Sequence, residues 1–194
     1  MSDVIERKKA LRKELRDRRR QFAADLPKEV SALVFNRPPG RLLDLVPEGA
    51  TIGLYRSDPG EAPSAGYIRY FWEHGHTIAL PRITTLAEEM TFRLHTDPMG
   101  ESNLVEGPLG LRQPADDAEI IEPQVLLMPL VGFTATGERL GQGGGFYDRY
   151  LAAHPGVIAI GMAWDVQEVD DLPLEPHDMR LSAIITQTRV LGPF

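Results

Sequence analysis

Apolar positions recur along this chain at two different periods. Val4, Leu11, Leu15 and Phe22 fall at helical spacing in an otherwise charged stretch, with Asp3 and Glu6 set three apart as a capping box. This predicts a helix over about residues 3–24. A second helical stretch is expected from Pro27, which suits a first helical turn, and it cannot continue through Arg37-Pro38-Pro39-Gly40. Beyond lie short apolar runs that predict strands at Thr51–Tyr55, Thr77–Ile83, Val125–Phe133, Val157–Trp164 and Ser182–Thr188. Met90–His95 reads as an edge strand within a less regular stretch from Thr84 to Glu122. Runs such as Val125-Leu126-Leu127-Met128 are apolar at every position, as in strands buried on both faces. The expected class is therefore α/β: a largely parallel sheet between two helical layers, with ligands bound beyond the carboxyl ends of the strands. Neither a repeat nor an interdomain linker interrupts the pattern, so a single domain over residues 1–194 is expected.

Composition narrows the chemistry. The 194 residues are 42% hydrophobic and 25% charged, enough for one substantial core. Cysteine is absent from the sequence, which removes disulfides, thiolate metal sites and a cysteine nucleophile. No apolar run approaches the roughly 20 residues of a membrane span, nor does the start resemble a secretory signal, so a cytoplasmic protein without a membrane partner is expected. The net charge of −7 is uneven: residues 1–24 carry nine lysines and arginines against four acids, a local +5 that leaves −12 to the rest. A solvated basic helix accounts for this as well as a phosphate-binding one does. The acidic remainder argues against nucleic acid.

The densest chemical signal is Gly137-Glu138-Arg139-Leu140-Gly141-Gln142-Gly143-Gly144-Gly145-Phe146-Tyr147-Asp148-Arg149-Tyr150, between a buried strand and a helical pattern running to about His154. Five glycines fall within nine residues. Glycine lets backbone amides approach an oxyanion, and a helix amino terminus adds positive potential, so the stretch suits a phosphate cradle. Arg139 would contact phosphate oxygens, and Asp148 in the first helical turn would hold Mg²⁺ bound to them. A tight chain reversal explains the glycines equally well. Neither the P-loop nor the dinucleotide fingerprint is present.

Arg139-Leu140-Gly141-Gln142-Gly143-Gly144-Gly145-Phe146-Tyr147-Asp148-Arg149-Tyr150 resembles the RLGxGxGYYDxY loop of the 5-formyltetrahydrofolate cyclo-ligase family, also called methenyltetrahydrofolate synthetases. The resemblance extends in order through Lys8-Lys9-Ala10-Leu11-Arg12, Glu61, Leu80-Pro81-Arg82-Ile83, Met128-Pro129 and Pro176-His177-Asp178-Met179. It implies a three-layer α/β/α fold resembling ribose-5-phosphate isomerase and the CoA transferases. It also implies a monomeric ligase that uses ATP and Mg²⁺ to close 5-formyltetrahydrofolate to 5,10-methenyltetrahydrofolate. By the same resemblance, residues 8–12 (Lys8, Lys9, Ala10, Leu11, Arg12) and residues 139–147 (Arg139, Leu140, Gly141, Gln142, Gly143, Gly144, Gly145, Phe146, Tyr147) contact ATP. Arg56, Glu61, Gln142, Gly143, Gly144, Gly145 and Phe146 contact the folate. Asp148 and Asp178 hold Mg²⁺, and Arg139 and Asp148 are the catalytic pair.

In the implied reaction the N5-formyl oxygen attacks the γ-phosphate of ATP, giving an N5-iminium phosphate and ADP. N10 then adds to the activated carbon and phosphate leaves. Such chemistry needs alignment and charge neutralisation more than a nucleophilic side chain. His177 invites a general-base role, although the motif requires only Asp178; Trp164 and Tyr147 read as packing residues. Arg56 stands where the family usually has an apolar residue, Thr134 and Ser182 where acids are usual, Gln113 where Glu is frequent, and Gly144 where some members carry a lysine. Two alternatives follow from these departures: a non-catalytic folate- or nucleotide-binding relative, or an enzyme for another phosphorylated metabolite.

Overall fold

The computed structural model describes residues 2–31, 33–85 and 88–194. Helix α1 spans Ser2–Asp25, so Asp3 lies inside the first turn instead of capping it; the negative charge still favours the helix amino end. Short helices α2 (Lys28–Ser31) and α3 (Gly40–Leu43) flank the Pro-Pro pair, whose second member caps α3. Then come β1 (Thr51–Gly53), α4 (Ala65–Glu73), β2 (Thr77–Arg82), β3 (Thr91–Leu94), β4 (Leu104–Glu106), β5 (Arg112–Pro114) and β6 (Val125–Pro129). The chain ends with β7 (Gly132–Phe133), β8 (Arg139–Leu140), α5 (Phe146–Ala153), β9 (Ile158–Met162), β10 (Ala183–Ile185) and β11 (Val190–Leu191).

Seven strands form one sheet in the order β11-β10-β9-β6-β1-β2-β3. Its five inner strands are parallel, and β3 and β11 close the edges antiparallel. Alternation along β6 divides the core. Val125 and Leu127 join Ile52, Ile78 and Leu80 beneath Tyr67, Ile68 and Phe71 of α4. Leu126 and Met128 face the other way, with Phe92 and Ile184 against Tyr150 and Leu151 of α5. Helices thus cover both faces of a mostly parallel sheet, as the apolar runs predict. Among the described residues no helix is long and apolar enough to cross a membrane.

The run expected as one strand from Val125 to Phe133 is two. Pro129 has no N–H with which to continue the ladder, and the chain turns out of the sheet there. Gln167 Nε2 satisfies the Leu130 and Val131 carbonyls at 2.7 and 3.0 Å, and β7 pairs with β8 as a separate hairpin. Against this hairpin lies α1. Leu15 is fully buried with Val131, Leu140 and Leu172, worth about 2 kcal/mol, and Phe22 meets Trp164 with ring centroids 5.3 Å apart. Packing on one face therefore fixes the rotation of an otherwise charged helix.

The turn between β7 and β8 is held by Glu138, which accepts from the Thr134 and Thr136 hydroxyls and pairs with Arg180. The Thr134 hydroxyl, then that of Thr136, then the Arg180 charge hold its carboxyl down to about 2, against an ordinary 4.5. The stability this contributes is present above pH 4.5 and is lost as pH falls towards about 2. Glu138→Gln should accordingly lower stability at neutral pH, measured by urea unfolding, and flatten the acid limb of the stability-against-pH curve, so that the two proteins converge as pH falls towards about 2.

Candidate active site

A cavity of about 640 Å³ opens where β1, β2 and β6 end, lined there by Tyr55, Leu80, Pro81 and Pro129. This is the carboxyl edge of the parallel sheet, the expected position for a ligand. Further segments close round it: the inner face of α1, the loop from Arg56 to Glu61, the stretch of Leu111, Arg112 and Gln113, the glycine loop with the start of α5, and the stretch Glu175–Asp178.

On α1, Lys8, Arg12, Arg16 and Arg19 repeat at intervals of four, four and three residues and so share one face. Lys8 Nζ donates to Asp178 Oδ2 at 2.6 Å and Glu175 Oε2 at 2.7 Å. Arg12 Nε donates to the Gly141 carbonyl at 2.9 Å, and Arg16 Nη2 to the Gln142 carbonyl at 2.7 Å. Arg19 Nη2 reaches Glu61 Oε1 at 3.2 Å. Burial, and then the charges of Arg19, Arg12 and Arg20, lower the pKa of Arg16, a sign of how closely the cations are gathered. Of the residues 8–12 expected to contact ATP, only Lys8 and Arg12 line the cavity. Lys9 and Ala10 are exposed, and Leu11 packs on the Leu15 cluster, because the helix turns the intervening residues away.

The glycine-rich stretch is shorter than the sequence suggests: Arg139 and Leu140 belong to β8, and only Gly141–Gly145 form the loop. Gly143 has φ 105° and Gly145, which caps α5, has φ 66°; other residues adopt such angles only with strain. The whole stretch from Arg139 to Asp148 lines the cavity. Arg139, with a side chain 2% exposed, donates from Nη2 to Asp148 Oδ1 at 2.5 Å, while its Nε has no hydrogen-bond partner among the described residues. The amino end of α5 contributes backbone N–H groups without helical partners. Cationic side chains and open amides together make a surface suited to an anion.

The carboxylates fall into two groups. Glu61 is buried, accepting from Gln142 Nε2 at 2.7 Å, the Asp58 amide at 3.1 Å and Arg19 at 3.2 Å. Asp148 and Asp178 lie together on the opposite side: the amide of Met179, next to Asp178, donates to Asp148 Oδ1 at 3.2 Å. Asp148 Oδ2 and Asp178 Oδ1 have no hydrogen bond among the described residues. Two hard oxygen donors lining the cavity suit Mg²⁺, which fills its remaining positions with water and phosphate. Glu175 joins Asp178 and His177, their ligand atoms all within 4.8 Å of one another. His177 is 69% exposed and 3.9 Å from Glu175. Sequence reasoning missed Arg16, Arg19 and Glu175; the spacing 8, 12, 16, 19 was the available signal for the arginines.

Comparison with known proteins decides between general anion binding and a particular family. The profile of the 5-formyltetrahydrofolate cyclo-ligase family matches residues 4–187. The chain belongs to this family. It is 34% identical over 146 residues to the 5-formyltetrahydrofolate cyclo-ligase of Escherichia coli (strain K12), covering 72% of this chain and 79% of the relative. A cyclo-ligase from Mycolicibacterium smegmatis is 33% identical over 157 residues, covering 77% and 80%. Among solved structures, a 5,10-methenyltetrahydrofolate synthetase from Aquifex aeolicus superposes with a TM-score of 0.70 at 23% identity, covering 94% of this chain and 93% of the other. One from Mycoplasma pneumoniae gives 0.67 at 24%, covering 93% and 98%. These two share the fold.

Set in the cyclo-ligase frame, the unusual positions have local explanations. Ser182 Oγ accepts the Ala159 amide at 3.2 Å beside the sheet and does not line the cavity; Thr134 is equally remote, in the β7–β8 turn. Gln113 does line it, and its amide accepts from Ile83 N and donates to Ile83 O, both at 3.0 Å, a pairing that a carboxylate cannot complete. At Gly144 an added Cβ would come within 2.8 Å of the Phe146 ring, so the lysine of some cyclo-ligases would require that ring to move. Arg56 lies at the mouth paired with Glu101, which also faces Arg112 at 3.6 Å.

Proposed function

We propose that this chain is an ATP-dependent 5-formyltetrahydrofolate cyclo-ligase, closing its substrate to 5,10-methenyltetrahydrofolate with release of ADP and phosphate. The observation that carries the reading is the joint made by Gln142. Its backbone belongs to the glycine loop beside the cationic face of α1, and its amide reaches Glu61, the buried acceptor. One side of the cavity thus suits triphosphate and the other a heterocycle with N–H donors, in contact through a single residue.

In this mechanism Lys8, Arg12 and Arg139 neutralise the phosphates, and the loop amides and the start of α5 orient them. Glu61 accepts hydrogen bonds from the pterin, with Arg56 and residues 142–146 bordering the folate. The formyl oxygen then faces the γ-phosphate; its attack gives the N5-iminium phosphate and ADP, and N10 adds to the activated carbon, gives up its proton to solvent and expels phosphate. Asp148 and Asp178 hold Mg²⁺, which when bound supplies charge neutralisation at the phosphates. We propose further that the protein works as a single-domain monomer in the cytoplasm.

Purified protein given 5-formyltetrahydrofolate and Mg²⁺ should generate the near-ultraviolet absorbance of methenyltetrahydrofolate only when ATP is added. Calorimetric folate binding without that absorbance would instead establish a non-catalytic binding protein.

A further inference from the structure

Arg19 is the buried cation to which the mechanism above gives no task. Its side chain is 4% exposed, and it donates from Nη1 to the Leu130 carbonyl and from Nη2 to Glu61 Oε1, both at 3.2 Å. The guanidinium is held between the chain leaving β6 and the loop from Asp58 to Glu61. That loop lies tight on α1: a Cβ at Gly60, which has φ 89°, would come within 3.2 Å of the Arg20 backbone.

A buried carboxylate that is to accept hydrogen bonds from a ligand must keep both its orientation and its charge. Of the three donors to Glu61, the Asp58 amide and the Gln142 amide are neutral; Arg19 alone brings a positive charge. Arg16, the next cation on the same face of α1, spends its hydrogen bonds on Gln142 and acts on Glu61 only through its charge. The other titratable neighbours do not help. Asp58 disfavours a second negative charge, and the Tyr55 and Tyr147 phenols are pushed up by burial and stay neutral. Burial pushes the Glu61 carboxyl itself up, with the Arg19 charge the largest opposing influence.

We propose that Arg19 is a positioning residue for substrate recognition, holding Glu61 in its orientation and in its anionic form so that the pterin meets an acceptor and not an acid. This rests on Glu61 being the folate acceptor. Arg19 then governs folate binding without touching folate, and its influence on ATP is small.

The test compares wild type, Arg19→Gln, Arg19→Lys and Glu61→Gln by calorimetry with 5-formyltetrahydrofolate and, separately, a non-hydrolysable ATP analogue with Mg²⁺. Arg19→Gln should weaken folate binding roughly tenfold or more at neutral pH, and the loss should grow as pH falls, since a more readily protonated Glu61 stops accepting. Arg19→Lys, which keeps the charge, should restore part of the affinity, and analogue binding should stay within about twofold of wild type in both. Carboxyl ¹³C NMR of the unliganded protein should show Glu61 titrating at higher pH in Arg19→Gln. Unchanged Glu61 titration and unchanged folate affinity in Arg19→Gln, with Glu61→Gln impaired, would overturn the proposal and leave the Glu61 assignment standing. Normal folate binding by Glu61→Gln would overturn both. If Arg19→Gln fails to fold by near-ultraviolet circular dichroism, Arg19→Lys carries the test: its folate affinity should lie between those of wild type and Glu61→Gln with analogue binding unchanged, whereas weakened analogue binding with unchanged folate affinity would refute the proposal.

Discussion

Replacing Asp148 with alanine should lower turnover by about 10²–10³-fold and also destabilise the protein by about 3 kcal/mol. The two losses have different origins. Asp148, the proposed Mg²⁺ ligand, keeps one oxygen free of hydrogen bonds among the described residues, and it is also the counter-charge of Arg139, whose side chain is almost wholly enclosed. Alanine leaves that guanidinium buried without its anion, and breaking a buried pair from one side costs more than the pair contributes. Asp148→Asn separates the effects. An amide oxygen still accepts from Arg139 and from the Met179 amide, so much of the stability returns, while the missing charge keeps turnover low. Denaturant unfolding and the absorbance assay on the two variants check this; wild-type turnover in Asp148→Asn would remove the residue from the metal site.

The sequence reveals this aspartate's helical position but not its partner. Asp148 and the glycines are local signals, readable because an acid in a first turn and a glycine cluster each have a nearby physical cause. Arg139 pairs with Asp148 across the loop Gly141–Gly145 from β8, a strand whose hairpin partner β7 was hidden in an apolar run that looked like one strand. Strand identities were legible for the same reason that their ends were not. Continuous Val, Leu and Ile mark burial on both sides, whereas termination at Gly53 or Met162 is set by which backbone groups find neighbours.

The cationic face of α1 shows the same division. Lys8 and Arg12 are one turn apart in any helix, and that much follows from spacing. Which of nine basic residues enter the cavity depends on the helix's rotation, set by Leu15 and Phe22 against the hairpin and Trp164. Ser182 gives the converse case. It stands where the family usually has an acid, yet its hydroxyl faces the backbone of β9 and leaves the Asp148–Asp178 pair untouched.

Lys8→Met should raise the KM for ATP roughly tenfold to a hundredfold, the range of a lost hydrogen bond to a charged group. The ammonium now sits between Glu175 and Asp178, residues more than 160 positions away, with its side chain 6% exposed. Burial works against its charge, but the hydrogen bonds and charges of Asp178 and Glu175 outweigh burial and raise its pKa; Glu175 is lowered in return, chiefly by the hydrogen bond from Lys8. The Glu175 part of this stabilisation is present above its unfolded value of 4.5 and disappears as pH falls through the lower folded value. The variant should therefore have a lower Tm at neutral pH and a weaker dependence of Tm on pH on the acid side. Mg²⁺ supplies a second signature. Without Lys8, Glu175, His177 and Asp178 face one another with no cation between them, so Mg²⁺ alone should raise the variant's Tm more than it raises that of wild type. An equal response to Mg²⁺ in the two proteins would mean that the ammonium does not occupy ground that the metal can use. The same comparison measures how far Mg²⁺ replaces an ion pair already present in the folded chain.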